Sequence, residues 1–262
     1  MEKEMLLLED VAVGYSGGKA GGRVVAGGIG VRLRRGEMAC LVGSNGVGKS
    51  TLLRSICFLQ RPLAGRVVVG GKDMAALSRT ERAAMVSIVL TGVDRDLTLT
   101  AEEVVSLGRS PFTDCWGRMT ARDREMVWRA MECVGIDGLA GRRMCSLSDG
   151  ERQKVMIAKA LAQQSPLMLL DEPTAFLDFN SRVEVLTLLR RLSREEGTTV
   201  LFSSHDLQSS LWLSDRVWLL GDDGSLSEGS PRDLADSGLI GSLVAHDGIA
   251  FDAESMSFRF LG

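Results

Sequence analysis

Eight consecutive residues, Gly43-Ser44-Asn45-Gly46-Val47-Gly48-Lys49-Ser50, have the types and spacing of a loop that wraps phosphate, GxxxxGK[ST]. Its glycines let successive main-chain N–H groups turn inward around phosphate oxygens, where side chains would obstruct the approach. Lys49 brings a positive charge to the β- and γ-phosphates of a nucleotide, and the Ser50 hydroxyl is a ligand for Mg²⁺. An apolar run, Met38-Ala39-Cys40-Leu41-Val42, precedes the loop, and a helix-forming run, Ser50-Thr51-Leu52-Leu53-Arg54, follows it. That strand–loop–helix order points the positive end of a helix at the anion. The chain has 30 glycines, so a chance match must be weighed; the flanking strand and helix decide for phosphate binding.

A second group of acid and base residues sits at strand ends. Leu167-Met168-Leu169-Leu170 runs straight into Asp171 and Glu172. Open α/β sheets present the C-terminal ends of their strands to the ligand crevice, which would set both carboxylates beside the phosphate loop. Asp171 is then expected to hold Mg²⁺, directly or through water, and Glu172 to orient and polarise an attacking water. The same string also reads as an acidic turn after a buried strand, and the phosphate loop in the chain is what favours catalysis. His205 follows another apolar run, Val200-Leu201-Phe202-Ser203-Ser204, and would lie on the same edge. A lone histidine is more often a structural hydrogen-bonder, and position is the reason to set that aside here.

Leu147-Ser148-Asp149-Gly150-Glu151 supports two readings at once. Ser148 with Glu151 three residues on is a capping box that starts a helix. A helix N-terminus carrying a serine and a glycine is also a receptor for a γ-phosphate. Tyr15, the chain's single tyrosine, ends Val11-Ala12-Val13-Gly14 and by itself reads as edge packing.

The elements that must hold these residues follow from hydrophobic period. Apolar runs over Glu37–Val42, Arg66–Val69, Ala84–Leu90, Leu167–Leu170, Thr198–Phe202 and Val217–Leu220 read as central strands covered on both faces. They alternate with longer helical stretches, which gives an α/β fold with a mostly parallel sheet. A β-rich region runs to about Leu33. From about Asp94 the pattern turns helical, with helix starts at Thr100 (Glu103 three on) and Thr120 (Asp123 three on). We read a helical subdomain over about 94–164 inserted in a domain of residues 1–238, with 239–262 as a tail of unassigned role.

Composition limits the partners. The formal charge of −3, with 45% hydrophobic and 25% charged residues, fits an ordinary globular chain and gives no bulk attraction for nucleic acid. Arginine pairs such as Arg34-Arg35, Arg142-Arg143 and Arg190-Arg191 read as solvated faces. Five scattered cysteines (Cys40, Cys57, Cys115, Cys133, Cys145) and only two histidines (His205, His246) suit reduced thiols better than a disulfide frame or a zinc site. The start, MEKEMLLLED, lacks a secretory pattern, and no run approaches the roughly 18 apolar residues of a membrane span.

Taken in order, these residues resemble the nucleotide-binding subunit of ABC transporters over nearly the whole chain to about Asp236. The resemblance implies a P-loop NTPase core with an N-terminal antiparallel β region and an inserted helical subdomain. It implies ATP and Mg²⁺ as ligands, Tyr15 stacked on adenine, and Gly43 to Thr51 around the phosphates. Ser148, Asp149, Gly150 and Glu151 fall at the signature motif, Asp171-Glu172-Pro173-Thr174 at the second Walker motif, Asp178 at the D-loop and His205 at the switch histidine. Val105-Ser106-Leu107-Gly108-Arg109-Ser110-Pro111-Phe112 is similar to the importer ATPases for iron–siderophore, haem and cobalamin.

In that family each site is completed in trans by the signature of a second copy, in a head-to-tail homodimer that drives integral-membrane permease subunits. The resemblance thus implies a peripheral protein on the cytoplasmic face of the cell (inner) membrane, served indirectly by a substrate-binding protein, with no nucleic acid. The rival is a soluble ABC ATPase acting on DNA or ribosomes. It would carry a long coiled coil between loop and signature, for which Lys49 to Ser148 leaves no room, or two ATPase units in one chain. A catalytically weak regulatory binder is disfavoured by Glu172 and His205.

Two motifs depart from the family pattern. Asp149 stands where the signature LSGGQ has glycine, and Glu151 where it has glutamine. A carboxylate about 8 Å from a phosphate charge in water costs only about half a kcal/mol, and several times that when desolvated. Thr91 stands where a glutamine normally reaches the cation, and its shorter hydroxyl would serve Mg²⁺ or its water.

Overall fold

The computed structural model describes residues 4–17, 22–92, 97–114, 116–244 and 249–260. Cys115, His246 and the expected helical onset at Asp94 lie outside them. Two strands open the chain, β1 (Glu4–Tyr15) and β2 (Arg23–Arg34), followed by β3 (Met38–Val42) and α1 (Lys49–Ile56). Then come β4 (Ala64–Val69), β5 (Lys72–Asp73), α2 (Arg79–Met85) and β6 (Val86–Val89). A helical stretch holds α3 (Ala101–Ser106), a 3₁₀ turn (Leu107–Phe112), α4 (Ala121–Val134) and α5 (Asp149–Ala162). The chain returns through β7 (Leu167–Leu170), α6 (Phe179–Glu195), β8 (Thr199–Ser204), α7 (Leu207–Leu213), β9 (Arg216–Leu220) and β10 (Leu226–Gly229). It closes with α8 (Pro231–Asp236), α9 (Leu239–Val244), β11 (Ile249–Asp252) and β12 (Ser257–Phe260).

Six strands form the central sheet in the order β10-β9-β3-β8-β7-β6, parallel throughout except where β10 meets β9. An antiparallel sheet of order β2-β1-β4-β5 packs over it. The two cores meet at β3: Met38, Cys40 and Val42 face the helical side, while Ala39 and Leu41 join Leu52, Leu53, Ile56 and Trp218 under the antiparallel sheet. A strand buried on both faces reads as a continuous apolar run, which is why it was legible.

Two expected strands differ. Arg66–Val69 belongs to β4, which pairs antiparallel with β1 rather than entering the central sheet. Its first three residues, Ala64 to Arg66, are exposed, as befits a sheet with one wet face. The strand expected over Ala84–Leu90 shortens to Val86–Val89. Ala84 and Met85 end α2 instead, a helix started by a full capping box in which Ser78 accepts from Glu81 N and Glu81 accepts from Ser78 N.

The helical subdomain starts where its sequence signals lie. Thr100 with Glu103 and Thr120 with Asp123 both form capping boxes. The Leu107–Phe112 segment is a structural clasp. A Cβ on Gly108 would lie 2.1 Å from Lys159 O, so only glycine lets this turn rest against α5. The buried Arg109 donates to Asp123 Oδ1 at 3.0 Å and to Ala162 O at 2.7 Å, tying the start of α4 to the end of α5. The tail folds as well: β11 and β12 pair, and Phe251 and Phe258 pack on the helical core.

Candidate active site

The phosphate loop is shaped by close backbone approach. A Cβ on Gly43 would meet Leu220 O at 2.5 Å, and one on Gly48 would meet Val25 Cγ1 at 2.3 Å. Gly46 and Gly48 also have φ of 81° and 119°, left-handed values that side chains resist. Gly48 is the N-cap of α1, and with no side-chain cap there the first N–H groups of the helix face the loop. Lys49 is 5% exposed, and its Nζ donates to Gly43 O at 2.8 Å and Ser44 O at 3.0 Å. Burial pulls its pKa below the ordinary lysine value, against the pull of Glu172 and Asp171. The Ser44 hydroxyl donates to Asp222, in the turn between β9 and β10.

Parallel register brings the acids alongside. β7 lies between β6 and β8, so Asp171, one residue past its end, emerges beside Ser203 near the end of β8. Asp171 is buried, and its Oδ1 accepts from Ser50 Oγ and from Ser203 Oγ, each at 2.9 Å. A buried carboxylate needs such donors, since charge-assisted hydrogen bonds contribute about 1.5–3 kcal/mol each and an unpaired charge would be costly. Ser203 Oγ also accepts from Glu172 N at 2.9 Å, so one hydroxyl positions both acids. Glu172 has φ 47°, a left-handed turn that carries its side chain past Asp171. Glu172 Oε1 is 4.0 Å from Lys49 Nζ, and Oε2 is 3.7 Å from His205 Nδ1. Both gaps are of the width that a bridging water or phosphate oxygen spans.

Thus the structure gathers Lys49, Ser50, Asp171, Glu172 and His205 within one site. Tyr15 joins them, its OH 3.4 Å from Thr51 Oγ1 while its ring stays about half exposed. The Thr91 hydroxyl donates to Asp171 O at 2.7 Å, on the rim of the same site. Ser203 and Asp222 were missed by sequence reasoning. The available signal for Ser203 was a hydroxyl pair ending an apolar strand; Asp222 gave none, because its contact depends on sheet order. Ser50 and Asp171 present a hydroxyl and a carboxylate 2.9 Å apart at the end of the loop, hard oxygen donors of the kind Mg²⁺ takes beside phosphates.

The second set of residues stands apart. Ser148 Oγ accepts from Glu151 N, and Glu151 Oε2 accepts from Ser148 N at 2.7 Å. That bond holds the Glu151 carboxyl below its ordinary range. Asp149 Oδ1 pairs with Arg152 Nη2 at 2.6 Å, and Arg152 also donates to Leu147 O. Asp178 caps α6 by accepting from Ser181 N. Among the described residues, no hydrogen bond joins Ser148–Glu151 or Asp178 to the phosphate loop. Beside them Phe176 and Phe179 are 82% and 71% exposed. A cleft of about 280 Å³, with Thr91, Asp149, Arg152, Glu172 and Phe176 on its walls, separates the two sets.

Comparison with known proteins accords with this geometry. The sequence profile described as "ABC transporter" matches residues 27–175. The iron(3+)-hydroxamate import ATP-binding protein FhuC of Bacillus subtilis is 36% identical over 87% of this chain and 83% of its own. The cobalamin import ATP-binding protein BtuD of Halobacterium salinarum is 39% identical over 77% of this chain and 50% of its own. Among solved structures, a dimeric ATP-binding cassette in a post-hydrolysis state with ADP and Pi superposes with a TM-score of 0.72. It is 26% identical, covering 87% of this chain and 99% of that one.

Proposed function

Given that this chain belongs to the ABC transporter family and is an ATP-hydrolysing cassette, we propose that it powers import of a metal chelate, an iron–siderophore or cobalamin-type nutrient. The observation that carries the catalytic part is the cluster in which Ser203 holds Asp171 and Glu172 beside Lys49, Ser50 and His205. In this reading Gly43 to Thr51 wrap the phosphates, Lys49 leaves its two carbonyl contacts for the β- and γ-phosphates, and Tyr15 stacks on adenine. Ser50 and Asp171 would hold Mg²⁺, with Thr91 serving the cation or its water, and the ion would supply charge neutralisation. Glu172 accepts hydrogen bonds from the attacking water and orients it toward the γ-phosphorus, and His205 steadies Glu172 and the γ-phosphate from the far side.

Ser148 and Gly150 lie at a helix N-terminus across the cleft from Glu172, and in this reading they serve the γ-phosphate of a second copy. Phe176 and Phe179 beside Asp178 offer the exposed apolar surface that such a copy would cover. Arg152 draws the Asp149 carboxylate into an ion pair, which offsets the repulsion that an acid would bring to that phosphate. Among the described residues no helix is long and apolar enough to cross a membrane, and we assign attachment to permease subunits on the cytoplasmic face. A substrate-binding protein would deliver the cargo to them.

Purification of the tagged chain from detergent-solubilised membranes tests the transport reading. A polytopic membrane protein should accompany it in stoichiometric amount, and the complex should hydrolyse ATP. Recovery with ribosomes or DNA and without a membrane protein would favour the soluble alternative instead.

A further inference from the structure

We infer that Arg182 is a positioning residue for His205, acting through the Asp206 carboxylate; this rests on the catalytic role given to His205 above. Arg182 lies in the first turn of α6, where its N–H bonds back to Asp178 O at 2.9 Å. Its Nη1 donates to Asp206 Oδ2 at 3.0 Å, and both side chains are largely withdrawn from solvent. Its Nε is buried with no hydrogen-bond partner among the described residues. A solvated surface arginine would keep that donor in water. This one gives it up to reach the residue next to the histidine.

His205 itself needs such support. It follows β8 at the point where the sheet ends, and its imidazole is about half exposed, with Glu172 Oε2 3.7 Å from Nδ1. Its placement therefore depends on the turn that carries it. Ser204 Oγ accepts from Asp206 N at 2.9 Å on one side, and Ser210 Oγ donates to Asp206 O at 2.5 Å on the other. Those bonds set the backbone of the turn, and the Arg182 guanidinium fixes the side chain of Asp206 against α6. Two helices, α6 and α7, then bracket the turn that carries His205. Errors of about 1 Å in such a group cost up to about a hundredfold in rate.

Arg182→Gln should lower kcat for ATP about tenfold with KM within twofold, and Arg182→Lys should restore most of the loss. Asp206→Asn, which keeps the shape and removes the charge, should match Arg182→Gln, and the double variant should be no slower than either single one. Asp206→Asn alone also serves if Arg182→Gln does not fold. In a His205→Ala background Arg182→Gln should have no further effect. Because the chain has only two histidines, the imidazole resonances in a ¹H–¹⁵N spectrum are assigned by one His246→Gln variant. The His205 resonance should move in Arg182→Gln, which a purely architectural staple would not require. An unmoved resonance with wild-type kcat, beside an inactive His205→Ala, overturns the inference alone. Wild-type turnover in His205→Ala overturns it together with the reading beneath it.

Discussion

Around the phosphate loop, side chains reach across elements: Ser50 of α1 and Ser203 of β8 meet on Asp171 after β7, and Ser44 reaches Asp222 beyond β9. At the starts of α5 and α6 they reach mainly into their own turns, Ser148 to Glu151, Asp149 to Arg152 and Asp178 to Ser181. The first region is interlocked around the buried Lys49 and Asp171. The second is exposed, self-satisfied and flanked by bare aromatic rings. Cross-links from three strands and a helix gather these side chains within one chain. Helix starts whose caps are already satisfied locally gain a further function only from something outside the chain, and in the proposed reading a second cassette presents its bound phosphate to them.

That contrast can be broken from either side. On the interlocked side, Glu172→Gln should lower kcat about a thousandfold while ATP affinity changes only a few-fold, since removing a water-orienting base costs about 10²–10⁴. Steady-state turnover and equilibrium nucleotide binding on one preparation would show the split. Lys49→Ala should weaken ATP binding about a hundredfold, the cost of truncating one partner of a buried charge contact. An unchanged dissociation constant in a fluorescent-nucleotide titration would count against the loop. Ser203→Ala should lower kcat about tenfold, because Asp171 and the Glu172 N–H both lose a partner.

On the exposed side the effects are smaller and pairwise. Asp149→Gly should leave turnover within about twofold, matching about half a kcal/mol of repulsion, as long as Arg152 neutralises the acid. Arg152→Gln should then be the more harmful change, and adding Asp149→Gly to it should recover activity. A large loss in Asp149→Gly alone would give that acid a positive role. The smallest effect concerns acid. Glu151, with its folded pKa depressed by the Ser148 N–H, stabilises the helix start above its unfolded pKa and ceases to as pH falls through the folded value. Glu151→Gln should therefore flatten the acid limb of a melting curve slightly, leaving the neutral range alone.

The same division explains what could be read from the sequence. Contiguous signals were legible: the phosphate loop, the strand-end acids, and the capping boxes at Thr100, Thr120 and Ser148, each a local rule over four residues. The box at Ser78 obeys the same rule and was overlooked, because the apolar run after it looked like strand from Ala84 on. Partnerships made by sheet register were not legible. Ser203 meets Asp171 because β8 lies beside β7, Asp222 meets Ser44 because β9 lies beside β3, and Arg182 meets Asp206 because α6 packs near α7. None of these pairs is close in sequence. Burial of β4 in a separate antiparallel sheet was hidden for the same reason, since Val67, Val68 and Val69 would suit either sheet.

In the proposed reading one copy binds ATP and two are needed to enclose it. The most direct measurement is the molar mass of Glu172→Gln by sedimentation, with and without ATP. A monomer that becomes a dimer on adding ATP, and fails to do so when Ser148 is replaced by arginine, is the predicted result. A chain that binds ATP yet stays monomeric, or that dimerises equally well with Ser148→Arg, would contradict the account.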